Sequence, residues 1–148
     1  MLFFHLVGAL LFVAGIVVAG VAFEAARRRD TPAEIALLLG IARAGVPLVL
    51  AGGLLLPAFG LWLVQLGKFG YGSTWVDASI ALYAVALILG ALGGRRPKQA
   101  RQLATQLAAD AVPLSDELRA LLDDPAARTV NYGSLAVVLV ILALMVFK

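Results

Sequence analysis

The side chains in this 148-residue chain that could do metal or redox chemistry are few: one histidine, His5, and two methionines, Met1 and Met145. His5 lies about 6 Å of helix rise from the start of the first apolar run, and Met145 lies at a similar depth in the last one. Histidine with methionine is an axial pair for haem iron, and histidine is the commonest metal ligand. The pattern therefore points to an outer-leaflet site for haem b or copper at His5 and Met145. A plainer reading stands beside it: a headgroup-level histidine hydrogen-bonded to Gln65, Asp77 or water.

Arg43 is the one cation within reach of the bilayer interior. A charge at mid-membrane costs about 2.5–3.5 kcal/mol on the insertion scale. The apolar run that follows Arg43 is long enough to span by itself, so Arg43 fits the cytoplasmic interface, snorkelling to Glu24 or to a lipid phosphate. A buried arginine gripping an anionic ligand between helices is the alternative. Asp77 opens the third apolar run, where a carboxylate complements the helix dipole. No phosphate loop, catalytic triad, paired intramembrane carboxylates or metalloprotease motif occurs. With no cysteine, disulfides, zinc thiolates and iron–sulfur clusters are excluded.

The elements that must carry these residues are membrane helices. The chain is 62% hydrophobic and 14% charged, against roughly 45–50% and about 25% for soluble domains. Four apolar runs, about 2–26, 44–66, 75–94 and 130–147, are each long enough for the roughly 30 Å hydrocarbon core. The first is longer than a signal-peptide core and is followed, not preceded, by Arg27-Arg28-Arg29, which suits a retained anchor. The second begins with a helix start signal: Thr31 as cap, Pro32 next, Glu34 three residues on. Pro97 and its flanking cations are expected to end the third. Between runs three and four, 95–129 is polar, with Ala100, Leu103, Ala104, Leu107 and Ala111 at helical spacing and a second short helix starting at Ser115. The fold expected is an all-α bundle of four transmembrane helices, one membrane domain over 1–148, with a cytoplasmic amphipathic segment.

Stripes at 3.5-residue spacing predict the inward faces. They are His5, Gly8, Phe12, Gly15, Ala19 and Ala22; Arg43, Val46, Leu50, Gly53, Pro57 and Gly60; Ser79, Tyr83, Ala86, Gly90 and Gly93; and Asn131, Ser134, Val138, Ile141, Met145 and Lys148. Gly90 and Gly94 add a GxxxG pair. Nine basic residues (Arg27, Arg28, Arg29, Arg95, Arg96, Lys98, Arg101, Arg119 and Arg128) fall on one side and two, Lys68 and Lys148, on the other. That imbalance predicts both termini outside the cytoplasm. Trp62, Tyr71 and Trp75 fit an outer aromatic belt and Tyr132 an inner one. The formal charge of +3 flanks apolar runs and marks topology; it does not suggest nucleic acid.

HLVGALLFVAG, RAGVPLVLAGGLLLPAFGLWLV, GYGSTWVDASIALY and the closing LMVFK together resemble a family of predicted bacterial integral-membrane proteins, domain-of-unknown-function family 2269. The resemblance covers nearly the whole chain and implies a four-helix membrane protein with no particular activity. The first-helix histidine is more remotely similar to that of copper-resistance D-type and haem-linked four-helix membrane families, on His5 alone. The expected function is a non-enzymatic integral membrane protein of the bacterial inner membrane, packing with itself or with a membrane partner. The alternative is a haem- or copper-binding redox protein centred on His5. A small transporter is a third reading, for which no span carries a deep carboxylate.

Overall fold

The structure, a computed structural model, describes residues 1–66 and 74–146, and of Trp75 the backbone alone. The Gly67–Ser73 turn with Lys68 and Tyr71, the Trp75 side chain, and Phe147 with Lys148 lie outside the described residues. Six helices follow in order: α1 Leu2–Arg27, α2 Pro32–Leu66, α3 Thr74–Gly93, α4 Arg95–Ala109, α5 Asp116–Leu122 and α6 Pro125–Val146. Four stretches are long and apolar enough to cross a membrane; they contain α1, α2, α3 and α6. The all-α, four-span bundle expected from the sequence is what forms.

α1 and α2 make the most intimate pair, and glycine is the reason. A Cβ at Gly15 would lie 2.7 Å from the Gly45 carbonyl oxygen, and one at Gly45 would lie 2.6 Å from that of Gly15. Seven residues along, a Cβ at Gly52 would meet the Gly8 carbonyl at 2.6 Å and the Phe12 amide nitrogen at 2.4 Å. Glycines seven apart on two antiparallel helices thus fall opposite one another. Seven residues are two turns of a left-handed pair, so the close approach repeats in register. In lipid, where no hydrophobic drive joins helices, such backbone proximity supplies the van der Waals contact that does.

This register corrects the first half of the stripe predicted for α2. Its buried residues are Pro32, Ile35, Leu39, Ala42, Gly45 and Gly52, while Arg43, Val46 and Leu50 are exposed. The second half of the predicted stripe does face inwards, Gly53 towards Tyr83 and Phe12 and Gly60 towards His5, while the tightest crossings fall one residue to the side at Gly45 and Gly52. On α1 the predicted face is the buried one: Gly8, Phe12, Gly15 and Ala22. On α6, Val138 and Ile141 are buried as expected.

The break between α3 and α4 is a second correction. Pro97 does not end a helix. The turn at Gly94 keeps right-handed helical backbone angles, its amide donates to the Gly90 carbonyl (3.1 Å) and its carbonyl accepts from Lys98 (3.4 Å). Pro97 falls in the first turn of α4, where proline's fixed φ fits the helix and its ring is tolerated. Gly90 does not serve packing within the protomer either: nothing lies within 4 Å of where its Cβ would be.

At 35 residues, α2 is about 52 Å long, against about 30 Å of hydrocarbon. Its first three turns project past the bundle and join a polar-end cap. There Phe23, Ala26, Ile35, Leu39, Ala100, Ala104, Leu118 and Leu122 form one buried cluster. Ser115 caps α5 by accepting from the Leu118 amide (3.2 Å), and Asp124 caps α6 by accepting from the Ala126 amide (3.1 Å). Pro125 then starts α6, five residues before the predicted apolar run. Ala111, expected on the apolar stripe of α4, lies past its end at φ 51° and is exposed. Here the left-handed backbone turns the chain back towards α5. A second cluster, Phe12, Ala86 and Val138 with Tyr83, Val49 and Leu56 around it, joins all four spans.

Candidate functional site

His5 projects from the first turns of α1 and is half-buried. Its Nδ1 donates to the Leu56 carbonyl of α2 at 3.1 Å, and a Cβ at Gly60 would come within 3.0 Å of its Cε1. The absence of a side chain at Gly60 gives the imidazole its seat. The partner is therefore a backbone carbonyl, in place of the Gln65, Asp77 or water expected from the sequence. Met145 lies half-buried on α6 and is part of neither contact. Asp77 is exposed in the first turn of α3. Among the described residues, no group of three or more His, Cys, Asp or Glu side chains is placed to hold a metal ion.

Arg43 stands on the outer face of α2, exposed. A shallow groove of about 500 Å³ runs beside it, lined by Gly40, Arg43, Ala44, Val46, Pro47 and Leu50. The pairing with Glu24 expected from the sequence does not form. Glu24 is held by Arg27 at 2.9 Å and Arg28 at 3.6 Å, one turn along the same helix, and Arg43 joins no ion pair among the described residues.

The polar-end charges instead tie the cap together. Arg27 bridges Glu24 to Asp123, with Nη2 2.9 Å from the Asp123 carboxylate. Arg119 donates to the carbonyls of Arg27 (2.9 Å) and Arg29 (3.1 Å) and to Asp30 (2.8 Å). It thereby satisfies acceptors that the end of α1 leaves open, and a cation suits that dipole end. Arg96 approaches the otherwise unbonded Oδ2 of Asp124 at 3.1 Å. The other open groove, about 860 Å³ between α4 and α5, is lined by Arg96, Arg101, Gln99, Gln102, Gln106 and Glu117 among others. Neither groove involves His5 or Met145.

Inside the bundle, Tyr83 of α3 donates its hydroxyl to the Gly53 carbonyl of α2 and its ring tilts against Phe12 at 6.1 Å. Pro57 has no N–H to offer that carbonyl. Sequence reasoning placed Tyr83 on an inward stripe but missed this pairing. The available signal was a proline four residues after Gly53 and a hydroxyl-bearing side chain at mid-span.

A family model described as a predicted integral membrane protein, DUF2269, matches residues 1–148. No curated protein and no solved structure matches the chain.

Proposed function

The chain belongs to the DUF2269 family of predicted integral membrane proteins, and from that premise we propose that it is a non-enzymatic assembly element of the membrane. In this reading the bundle packs with copies of itself or with a larger membrane protein through helix faces that the protomer leaves open. The observation that carries it is the division of the helix glycines into two sets. Gly8, Gly15, Gly45 and Gly52 are consumed by the α1–α2 crossing, whereas nothing lies within 4 Å of a Cβ at Gly90 or Gly133. A glycine inside a helix costs about 1 kcal/mol relative to alanine. Gly90, exposed on α3 and one turn from Gly94, recovers nothing for that cost within the protomer. A second helix laid against Gly90 and Gly94 would recover it by close backbone approach.

The bilayer of this reading is the bacterial inner membrane, with the polar-end cap in the cytoplasm and both termini outside. Support comes from the cap, which gathers Arg27, Arg28, Arg29, Arg95, Arg96, Lys98, Arg101, Arg119 and Arg128 at one end of the spans, the imbalance that keeps a loop on the cytoplasmic side. The test is the particle mass in mild detergent or native nanodiscs, for the wild type and Gly90→Leu. Wild type should run as an assembly and Gly90→Leu as a folded protomer. A strictly monomeric wild type without a copurifying partner would refute the reading.

One observation favours the redox alternative. With Nδ1–H held by the Leu56 carbonyl, the lone pair of His5 is left on Nε2, the arrangement of a ligating imidazole. Against it, no group of three or more His, Cys, Asp or Glu side chains gathers at His5 among the described residues. A Soret band or stoichiometric copper that disappears in His5→Ala would establish this second reading.

A further inference from the structure

We propose that the outer face of α2 at Arg43 is a binding site for the headgroup of an anionic phospholipid, with Arg43 gripping the phosphate.

The first support is depth. Gly15 faces Gly45, and Gly8 faces Gly52, so five residues further along α1 Gly20 is level with Gly40. A Cβ at Gly20 would be 3.6 Å from the Asn131 amide of α6, and one at Gly93 of α3 would be 2.9 Å from Val130. Gly20, Gly40, Gly93 and Asn131 therefore mark one level across the four spans, just inside the cap. Arg43 is three residues beyond it towards the bilayer centre, about 4.5 Å.

Direction comes next. Side chains on a helix lean towards its N-terminus and cover the preceding turn. The N-terminus of α2 is the polar end, so Arg43 leans back over Gly40 towards the headgroup layer. Gly40 is exposed, and nothing lies within 4 Å of its missing Cβ. The notch is the size of an absent side chain, open to lipid.

Charge complementarity then selects the occupant. Four carboxylates of the adjoining cap are engaged elsewhere: Glu24 by Arg27 and Arg28, Asp30 by Arg119, Asp123 by Arg27, and Asp124 by Arg96. Glu34 accepts from the Thr31 hydroxyl. An unpaired guanidinium at the edge of a hydrocarbon layer calls for an anion, and a phosphodiester matches its planar fork. Among membrane lipids, an anionic headgroup such as phosphatidylglycerol presents that phosphate without a competing cation of its own. One acyl chain would then lie along Pro47 and Leu50.

The inference requires the membrane placement but not the assembly reading, and a single measurement separates them. Native mass spectrometry from detergent containing equal phosphatidylglycerol and phosphatidylcholine reads lipid retention and oligomeric mass together. Wild type should retain phosphatidylglycerol preferentially. Arg43→Gln should lower that retention by at least about fivefold, the factor one basic residue contributes at an anionic surface. Gly40→Leu should do the same with its charge intact, and its added side chain has open space, so it folds. Arg95→Gln, which removes an exposed cation at the same end, should retain lipid as wild type does. Equal loss in Arg95→Gln would mean diffuse attraction and overturn the site. So would equal retention of the two lipids, or a loss in Arg43→Gln that tracks a drop in oligomeric mass, which would make the groove a protein interface.

Discussion

The Tyr83 hydroxyl of α3 donates to the Gly53 carbonyl of α2, the acceptor that Pro57 orphans four residues downstream. A proline kink in lipid survives only where something re-satisfies the freed carbonyl. Here the donor comes from the opposite helical pair, so the defect in α2 becomes a tie between the two halves of the bundle.

Tyr83→Phe removes that donor and should lower stability by about 0.6–1.7 kcal/mol, the range of hydrogen bonds between membrane helices. In Pro57→Ala the helix supplies its own N–H to Gly53, so the cost of Tyr83→Phe should shrink towards zero. A double-mutant cycle by reversible unfolding in mixed micelles measures the coupling, and additive costs would show the two residues to be independent.

The glycine ladder makes a graded prediction. Gly52→Ala sets a methyl 2.4 Å from the Phe12 backbone nitrogen, which only separation of α1 from α2 can relieve. Overpacking of this kind costs about 1–3 kcal/mol. Gly133→Ala, with nothing near its Cβ, should leave stability unchanged or raise it by up to about 1 kcal/mol. The same unfolding measurement ranks the two, and equal destabilisation would contradict the register.

Arg119 holds the α1–α2 connection through two backbone carbonyls and Asp30. Arg119→Met should free that loop. Its cost should be near 1 kcal/mol, because the Asp30 partner is exposed and its ion pair correspondingly weak. Limited trypsin digestion at Arg28 and Arg29 should accelerate in the variant while the spans stay intact. Unchanged cleavage would mean that α1 and α2 hold the loop unaided.

The absence of cysteine makes single-cysteine labelling clean for orientation. Cysteines at exposed Asp30 and Ala109 should react with an impermeant thiol reagent only after the cytoplasmic face is opened, and one at exposed Leu2 should react in intact cells. Labelling of the Asp30 and Leu2 positions from the same side would contradict the proposed topology.

Much of the fold is legible in the sequence alone. Runs of some twenty apolar residues admit no soluble fold, so four spans, the cap helices after Arg95 and Ser115, and the inward faces of α1 and α6 followed from period and composition. The inward face of α2 in its polar-end half did not follow. Glycine recurs along that helix at 45, 52, 53 and 60, and spacing alone gives no preference between rows one residue apart. Only docking against Gly8 and Gly15 distinguishes them, because backbone proximity is a property of two helices. The same displacement turned Arg43 outwards, to lipid. The acceptor of His5 and the partner of the Gly53 carbonyl were equally hidden: both are main-chain oxygens, which every residue carries and no sequence pattern marks. Transfer free energy is nearly additive along a chain and is therefore written in its order; helix pairing depends on contacts between distant residues and was decided only in three dimensions.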